Sequence, residues 1–95
     1  MQEFEIMFIL KPDLTDKEIH SMLFTVRNYL TGIGGRTLKE TVWGKKRMAY
    51  EIEGYEEGIY CLFVFEAMLS GLGVFDSKMK ADSNVLRHMI ITKNS

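Results

Sequence analysis

The sequence predicts a small α+β domain in which two helices pack on one face of a four-stranded antiparallel sheet. Three observations support this fold class. Apolar runs typical of strands lie near both ends of the chain, a capped amphipathic helix follows the first strand, and glycine-containing turns separate later elements. A chain of 95 residues has room for one hydrophobic core, so we expect residues 1–95 to form a single domain.

The first half of this order is the clearest part of the sequence. Residues 3–10 are rich in Phe and Ile and predict a strand, which Pro12 ends because proline cannot donate to a strand ladder. Thr15 and Glu18 have the spacing of a capping box, which predicts the start of a helix. Glycines at 32, 34 and 35 stop this helix and do not open one, so they are not a phosphate-binding loop. Its apolar stripe is Ile19, Met22, Leu23, Val26 and Leu30.

The second half supplies the remaining elements. Residues 36–53 predict a long strand with a bulge at Gly44, and a turn over 54–58 connects it to a third strand over 59–66. The last strand is predicted over Val85–Thr92. A second helix, weakened by two internal glycines, is predicted from Leu69, Leu72, Phe75 and Met79. The resulting order, β-α-β-β-α-β, is that of the ferredoxin-like fold.

The face of the sheet that carries no helix is unusually apolar. Because strand side chains alternate, the charged residues Glu5, Glu66 and Arg87 indicate which face avoids the helices. The neighbours they carry to that face are Met7, Ile9, Tyr60, Leu62, Val64, Met89 and Ile91. A contiguous apolar patch of this kind marks an interaction site, and we predict that a protein partner covers it together with Glu5. The alternative is that one strand is assigned to the wrong face and its residues belong to the core.

A short basic run is the candidate for nucleic-acid contact. Lys45, Lys46 and Arg47 follow Trp43, so that cationic side chains could neutralise phosphates while the indole stacks on an unpaired base. Taken alone, such a run is more often a solvated face. The net charge of −1 also indicates that RNA contact depends on local clusters or on a more basic partner.

Catalytic and metal-binding chemistry has little support. Cys61 is predicted to point into the core, where a thiol is an inert small hydrophobe. His20 lies on the polar side of the first helix, and His88 is predicted to be packed. No Cys or His pair has metal-ligand spacing, and no cofactor or small-molecule substrate is expected. The single cysteine, the unbasic start of the chain and the lack of a long apolar run predict a cytoplasmic protein with no membrane segment.

Three separated motifs resemble bacterial small-ribosomal-subunit protein six, over about residues 4–93. They are Phe4-Glu5-Ile6 with Lys11-Pro12-Asp13-Leu14, then Trp43-Gly44-Lys45-Lys46-Arg47-Met48-Ala49-Tyr50, and Asn84-Val85-Leu86-Arg87. The chain departs from this family in having Phe4 in place of Tyr, Glu51 in place of Pro, and Gly71 and Gly73 in the second helix. Many members hold their partner with a carboxy-terminal extension. Since this sequence stops at Ser95, we expect that contact to be absent or made elsewhere.

The resemblance implies a ferredoxin-like, non-enzymatic ribosomal protein that binds the central domain of small-subunit ribosomal RNA together with small-subunit protein eighteen. It favours RNA contact by the basic run, and Trp43, Arg87 and Lys93 complete the predicted RNA-contacting set. Two alternatives remain open from the residues. One is an RNA-recognition domain, although Glu57-Gly58-Ile59 breaks its third-strand signature. The other is a homodimeric enzyme or ligand sensor that buries the open sheet face against itself.

Overall fold

The computed structural model describes residues 1–93, and the last two residues of the predicted 1–95 domain lie outside the described residues. Strands β1 (Gln2–Leu10), β2 (Arg36–Ile52), β3 (Tyr55–Ala67) and β4 (Val85–Thr92) form one antiparallel sheet in the order β2-β3-β1-β4. Helices α1 (Asp16–Gly32) and α2 (Leu72–Ala81) connect β1 to β2 and β3 to β4. This is the predicted ferredoxin-like arrangement.

The hydrophobic core lies between the helices and one face of the sheet. Alternate residues of the two central strands supply it, as predicted from Glu5 and Glu66. The ring centroids of Phe8 and Phe63 are 5.4 Å apart in an edge-to-face arrangement. This geometry is favourable because the positive edge of one ring meets the negative face of the other. The fully buried strand residues include Phe4, Ile6, Phe8, Leu10, Cys61, Phe63 and Phe65. The face assignment of β1 and β3 is therefore confirmed for the core side.

Helix α1 begins and ends where the sequence predicts. The Thr15 hydroxyl accepts a hydrogen bond from the Glu18 backbone N–H at 3.2 Å, and the Glu18 carboxylate accepts one from the Thr15 N–H at 2.9 Å. The capping box thus satisfies two donors that the helix leaves unpaired. Met22, Leu23 and Val26 are buried on the predicted stripe.

The connection between β2 and β3 differs from the prediction. The turn comprises Glu53 and Gly54, both with positive φ (50° and 86°), and β3 starts at once with Tyr55. Two positive-φ residues match the right-handed twist of a tight hairpin. Ile52 pairs with Tyr55 across this turn, after a register shift in β2 between Arg47 and Ile52. The predicted turn over residues 54–58 was wrong because the polar pair Glu56-Glu57, taken for a loop, lies in the strand. The bulge at Gly44 is confirmed by a register shift there and a φ of 90°.

Helix α2 begins at Leu72 and is therefore shorter than predicted, because the prediction included Leu69. Leu69 lies in a separate 3₁₀ turn (Leu69–Gly71) and is 65% exposed, so it does not anchor the helix. Phe75 and Met79 are buried and attach α2 to the core. A hydrogen bond also connects the two helices: the Tyr29 hydroxyl of α1 donates to the carboxylate of Asp82, the residue that follows α2, at 3.0 Å.

Candidate functional site

The open face of the sheet is built in rows that run across the strands. In the central row Thr41, Leu62, Met7 and Met89 stand side by side, one from each strand. Because neighbouring strands are about 4.8 Å apart, these side chains form one continuous surface. The residues predicted for a protein partner all lie on this face: Glu5, Met7, Ile9, Tyr60, Leu62, Val64, Met89 and Ile91.

These residues differ in how much water they contact. Met89 is 54% exposed and Ile91 is 49% exposed, although both are large and apolar. Met7 and Leu62 are partly buried in the middle of the face. Val64 and Ile9 retain only 7% and 8% exposure. The apolar surface that faces water is therefore centred on Met7, Leu62 and β4.

The far end of the β2–β3 hairpin covers one end of this open face. Ile9, Met48 and Leu86 form a second buried cluster, separate from the main core. The sequence does not by itself place Met48 or Leu86 in this cluster, although the alternation of Met48, Tyr50 and Ile52 indicates that these three residues share a face. Partly buried residues that pack on the cluster are Ile52, Tyr55 and Tyr60. Ile9 and Tyr60 are thus covered by the chain itself, and the predicted patch is smaller than the sequence indicated.

Gly58 allows the hairpin to come this close. A Cβ atom at Gly58 would lie 2.2 Å from Cγ2 of Ile9 and 3.1 Å from the Leu10 carbonyl oxygen. No side chain fits at that separation, so the absence of one permits the contact between the hairpin and β1.

Arg87 marks the border between the covered and the open part of the face. Its guanidinium donates a hydrogen bond to the Tyr50 hydroxyl and lies 5.7 Å from the centroid of that ring. A shallow cavity of 220 Å³ lies beneath this contact, against Ile9 and Met48. Tyr50 comes from β2 and Arg87 from β4, so the hairpin reaches across to the opposite edge strand.

The basic run lies on the β2 edge of the sheet and is exposed. The side chain of Lys46 stands 5.8 Å from the centroid of the Trp43 ring, which is 44% exposed. Lys45, Lys46 and Arg47 are all exposed, and among residues 1–93 none of them takes part in an ion pair. The structure thus places three exposed cations and an accessible indole on the same stretch of β2.

The other two residues predicted to contact RNA lie apart from this run. Arg87 is engaged with Tyr50, as described above. Lys93 lies at the opposite end of the sheet, where its ammonium is 3.6 Å from the Glu3 carboxylate. On β1, Glu3 lies seven residues from Leu10. Lys45 of the basic run lies in the same row across the sheet as Leu10, because both are paired with Ile59. Lys93 and the run therefore do not form one cluster, which spacing along the chain could not reveal.

The remaining reactive groups are tied into the fold. Burial raises the pKa of the Cys61 thiol to about 12, which leaves it protonated at neutral pH. His88 lies 2.7 Å from the Asp76 carboxylate and links β4 to α2. Among residues 1–93, no three His, Cys, Asp or Glu side chains group as metal ligands. No helix within residues 1–93 is long and apolar enough to span a bilayer.

Comparisons with known proteins agree with this architecture. The sequence model of the family described as Ribosomal protein S6 matches residues 3–92. A protein of Desulforamulus reducens named small ribosomal subunit protein bS6 is 34% identical, with 96% of each chain covered. The protein of that name from Syntrophomonas wolfei is 35% identical, over 99% of this chain and 98% of its own. The crystal structure of 30S ribosomal protein S6 from Thermotoga maritima superposes with a TM-score of 0.90 at 22% identity, covering 97% of this chain and 87% of that one, and supports the fold.

Proposed function

The chain belongs to the ribosomal protein S6 family, and on this premise we propose that it binds small-subunit ribosomal RNA and small-subunit protein eighteen through two different surfaces. Family membership makes it a structural protein of the small ribosomal subunit and not an enzyme. It also supports the predicted location on the ribosome in the cytoplasm. We further propose that the whole chain acts as one domain.

The observation that carries the partner proposal is the exposed apolar part of the sheet. Met89 and Ile91 are about half exposed, and they continue the surface formed by Met7 and Leu62. An antiparallel sheet with one solvated face normally carries polar residues there. Each large apolar side chain left in water forgoes roughly 1.5–3 kcal/mol of burial, part of which a partner recovers on binding. A protein partner on this face accounts for the pattern.

RNA contact is assigned to the basic run of β2 because its three cations are consecutive and exposed. Lys45, Lys46 and Arg47 are exposed and free of ion pairs in the described chain, and Trp43 offers an accessible ring for stacking. An RNA-recognition domain stacks bases on aromatic side chains of its open face. The centre of this open face is aliphatic, with Met7, Leu62 and Met89 side by side, which disfavours that alternative. Family membership sets aside the alternative of an enzyme or ligand sensor.

The partner surface is tested by placing a charge at its centre. Leu62→Asp puts a carboxylate opposite Met7, where a docked partner would have to desolvate it. We expect the affinity for purified small-subunit protein eighteen to fall at least about 100-fold, since an unpaired buried charge costs roughly 3 kcal/mol or more. The isolated fold should lose only about 1 kcal/mol, the range of strand propensity at a partly exposed site. The measurements are a binding titration and a thermal melt.

Phe63→Asp is the matched control, one residue away on the other face. It places the same charge in the main core, where Phe63 is fully buried, and should unfold the protein. If Leu62→Asp binds the partner as tightly as the unmodified chain does, the open face is not the partner surface. The proposal also fails if the unmodified protein does not bind protein eighteen.

A further inference from the structure

Within residues 1–93, three carboxylates lie on the open face where β1 pairs with β3, and two of them have a cation of their own. The Glu66 carboxylate is 3.0 Å from the Arg36 guanidinium. The Glu3 carboxylate is 3.6 Å from the Lys93 ammonium. The third, Glu5, forms no ion pair or hydrogen bond through its carboxylate within residues 1–93. The fold neutralises the two carboxylates at the end of the face and leaves the one nearer its centre unmatched.

Apolar residues flank Glu5 on both neighbouring strands and on one side along β1, while Glu3 lies on the other side along β1. The cross-strand neighbours of Glu5 are Val64 on β3 and Ile91 on β4, and Met7 follows it on the same face. The only cation in its row, Lys39, is two strands away, with about 10 Å between the backbones. Glu5 is itself partly buried. It is therefore a carboxylate set within the surface that the proposed partner covers.

Covering this surface takes Glu5 out of water. A carboxylate that loses its hydration without gaining a counter-charge opposes binding, whereas one that gains a cation favours binding and selects against wrong partners. Of the cations on this face, Lys93 and Arg36 are each paired with another carboxylate, and Lys39 lies two strands away from Glu5. The counter-charge must then come from the partner.

We propose that the protein partner places one cationic side chain, Arg or Lys, against Glu5, and that this contact gives the apolar face its selectivity for a basic protein. The inference rests on the proposed function, since it names what the partner must present to the open face. A partner with a matching cation forms an ion pair with Glu5. Any other partner that covers the face leaves the Glu5 carboxylate buried and unpaired.

The test is Glu5→Gln, which keeps the shape of the side chain and removes its charge. In titrations of the full chain with purified small-subunit protein eighteen, we expect Glu5→Gln to weaken binding about 30-fold or more, the usual effect of truncating a buried charge pair. Glu3→Gln is the matched control, because it makes the same substitution two residues away on the same face. The Glu3 carboxylate differs from that of Glu5 in being already paired with a cation, Lys93. Glu3→Gln should change the affinity less than about threefold. Thermal melts should show both variants folded.

A second measurement identifies the partner's cation. Each Arg and Lys of protein eighteen is replaced in turn by alanine and combined with Glu5→Gln, and one position should show a coupling energy with Glu5. Equal affinity of Glu5→Gln and the unmodified chain, or the absence of any coupled position, overturns this inference. If Leu62→Asp still blocks binding in that case, the proposed function stands without it. If the unmodified chain does not bind protein eighteen, both fail.

Discussion

Single residues in this protein differ in function according to which side of the sheet they occupy. Leu62 and Phe63 are adjacent in the chain and similarly apolar, yet Phe63 is fully buried under the helices while Leu62 lies on the open face. Gly58 is a further example, since only the missing side chain lets the hairpin pack on Ile9. At this scale the side of the sheet and the local space decide what a residue does, and residue type alone does not.

Cys61 provides a test of this principle at the level of one atom. Its burial raises the pKa of the thiol to about 12, compared with an ordinary value of 9.0, so the reactive thiolate is about 1,000-fold rarer than in an exposed cysteine. We expect a thiol reagent at pH 8 to label the native protein slowly and the urea-unfolded protein rapidly. The sequence has no other cysteine, so the signal is unambiguous. Rapid labelling of the native protein would show that β3 presents this residue to solvent.

At the scale of the elements, local sequence signals and long-range packing contribute unequally. Helix α1 is specified locally, by its capping box at Thr15 and the apolar stripe after it. The end of the β2–β3 hairpin is held by distant residues, because Met48 packs on Ile9 and Leu86. The conformation of the turn at Glu53 and Gly54 is specified locally. The position of the hairpin over the sheet depends on these contacts with distant residues.

Thr15→Ala should lower the stability of the protein by about 1 kcal/mol, because the Glu18 N–H loses the hydroxyl that caps it. For a domain of this size, that corresponds to a decrease in Tm of about 4–8 °C. A thermal melt at pH 7 measures the change. Thr31→Ala is a suitable control, since Thr31 lies at the opposite end of the same helix and its hydroxyl donates only to the Arg27 carbonyl. An equal loss in both variants would contradict the assignment to the cap.

The capping box also predicts a pH dependence. The Thr15 backbone N–H, and secondarily its side chain, lower the pKa of Glu18 from its ordinary value of 4.5. A carboxyl whose pKa is lowered by folding stabilises the protein above the unfolded pKa and loses that effect as pH falls through the folded pKa. Glu18→Gln should therefore melt below the unmodified protein at pH 6, and the two should converge as pH falls below about 4.5. A constant difference between pH 6 and pH 3 would argue against this linkage.

At the scale of the whole molecule, the distribution of charge matters more than its sum. The net charge is −1, yet the exposed cations of residues 45–47 gather on the β2 edge while the unmatched carboxylate lies on the open face. The two proposed surfaces thus differ in character, because one is a run of exposed cations and the other is apolar around a single unpaired carboxylate. With so little net charge, the protein by itself should hold RNA weakly.

Replacing Lys45, Lys46 and Arg47 together with alanine should weaken assembly onto small-subunit ribosomal RNA in the presence of protein eighteen. Each lost phosphate contact should reduce the slope of log affinity against log salt by about 1. Replacing Lys17, Lys78 and Lys80 removes the same charge from the helices and should leave the slope nearly unchanged. A slope that is the same in all three proteins would mean that residues 45–47 are only a solvated edge.

The sequence alone determined the order of elements, the start of α1 and the two faces of the central strands. These follow from periodicity, capping and alternation, which act over a few residues. The tertiary structure decided that Ile9 is covered by Met48 and that Lys93 lies far from the basic run. It also decided that, within residues 1–93, Glu5 has no ion pair while Glu3 and Glu66 each have one. Such facts depend on strand register and on hairpin curvature, which bring together residues that are distant in the chain and that no local pattern records.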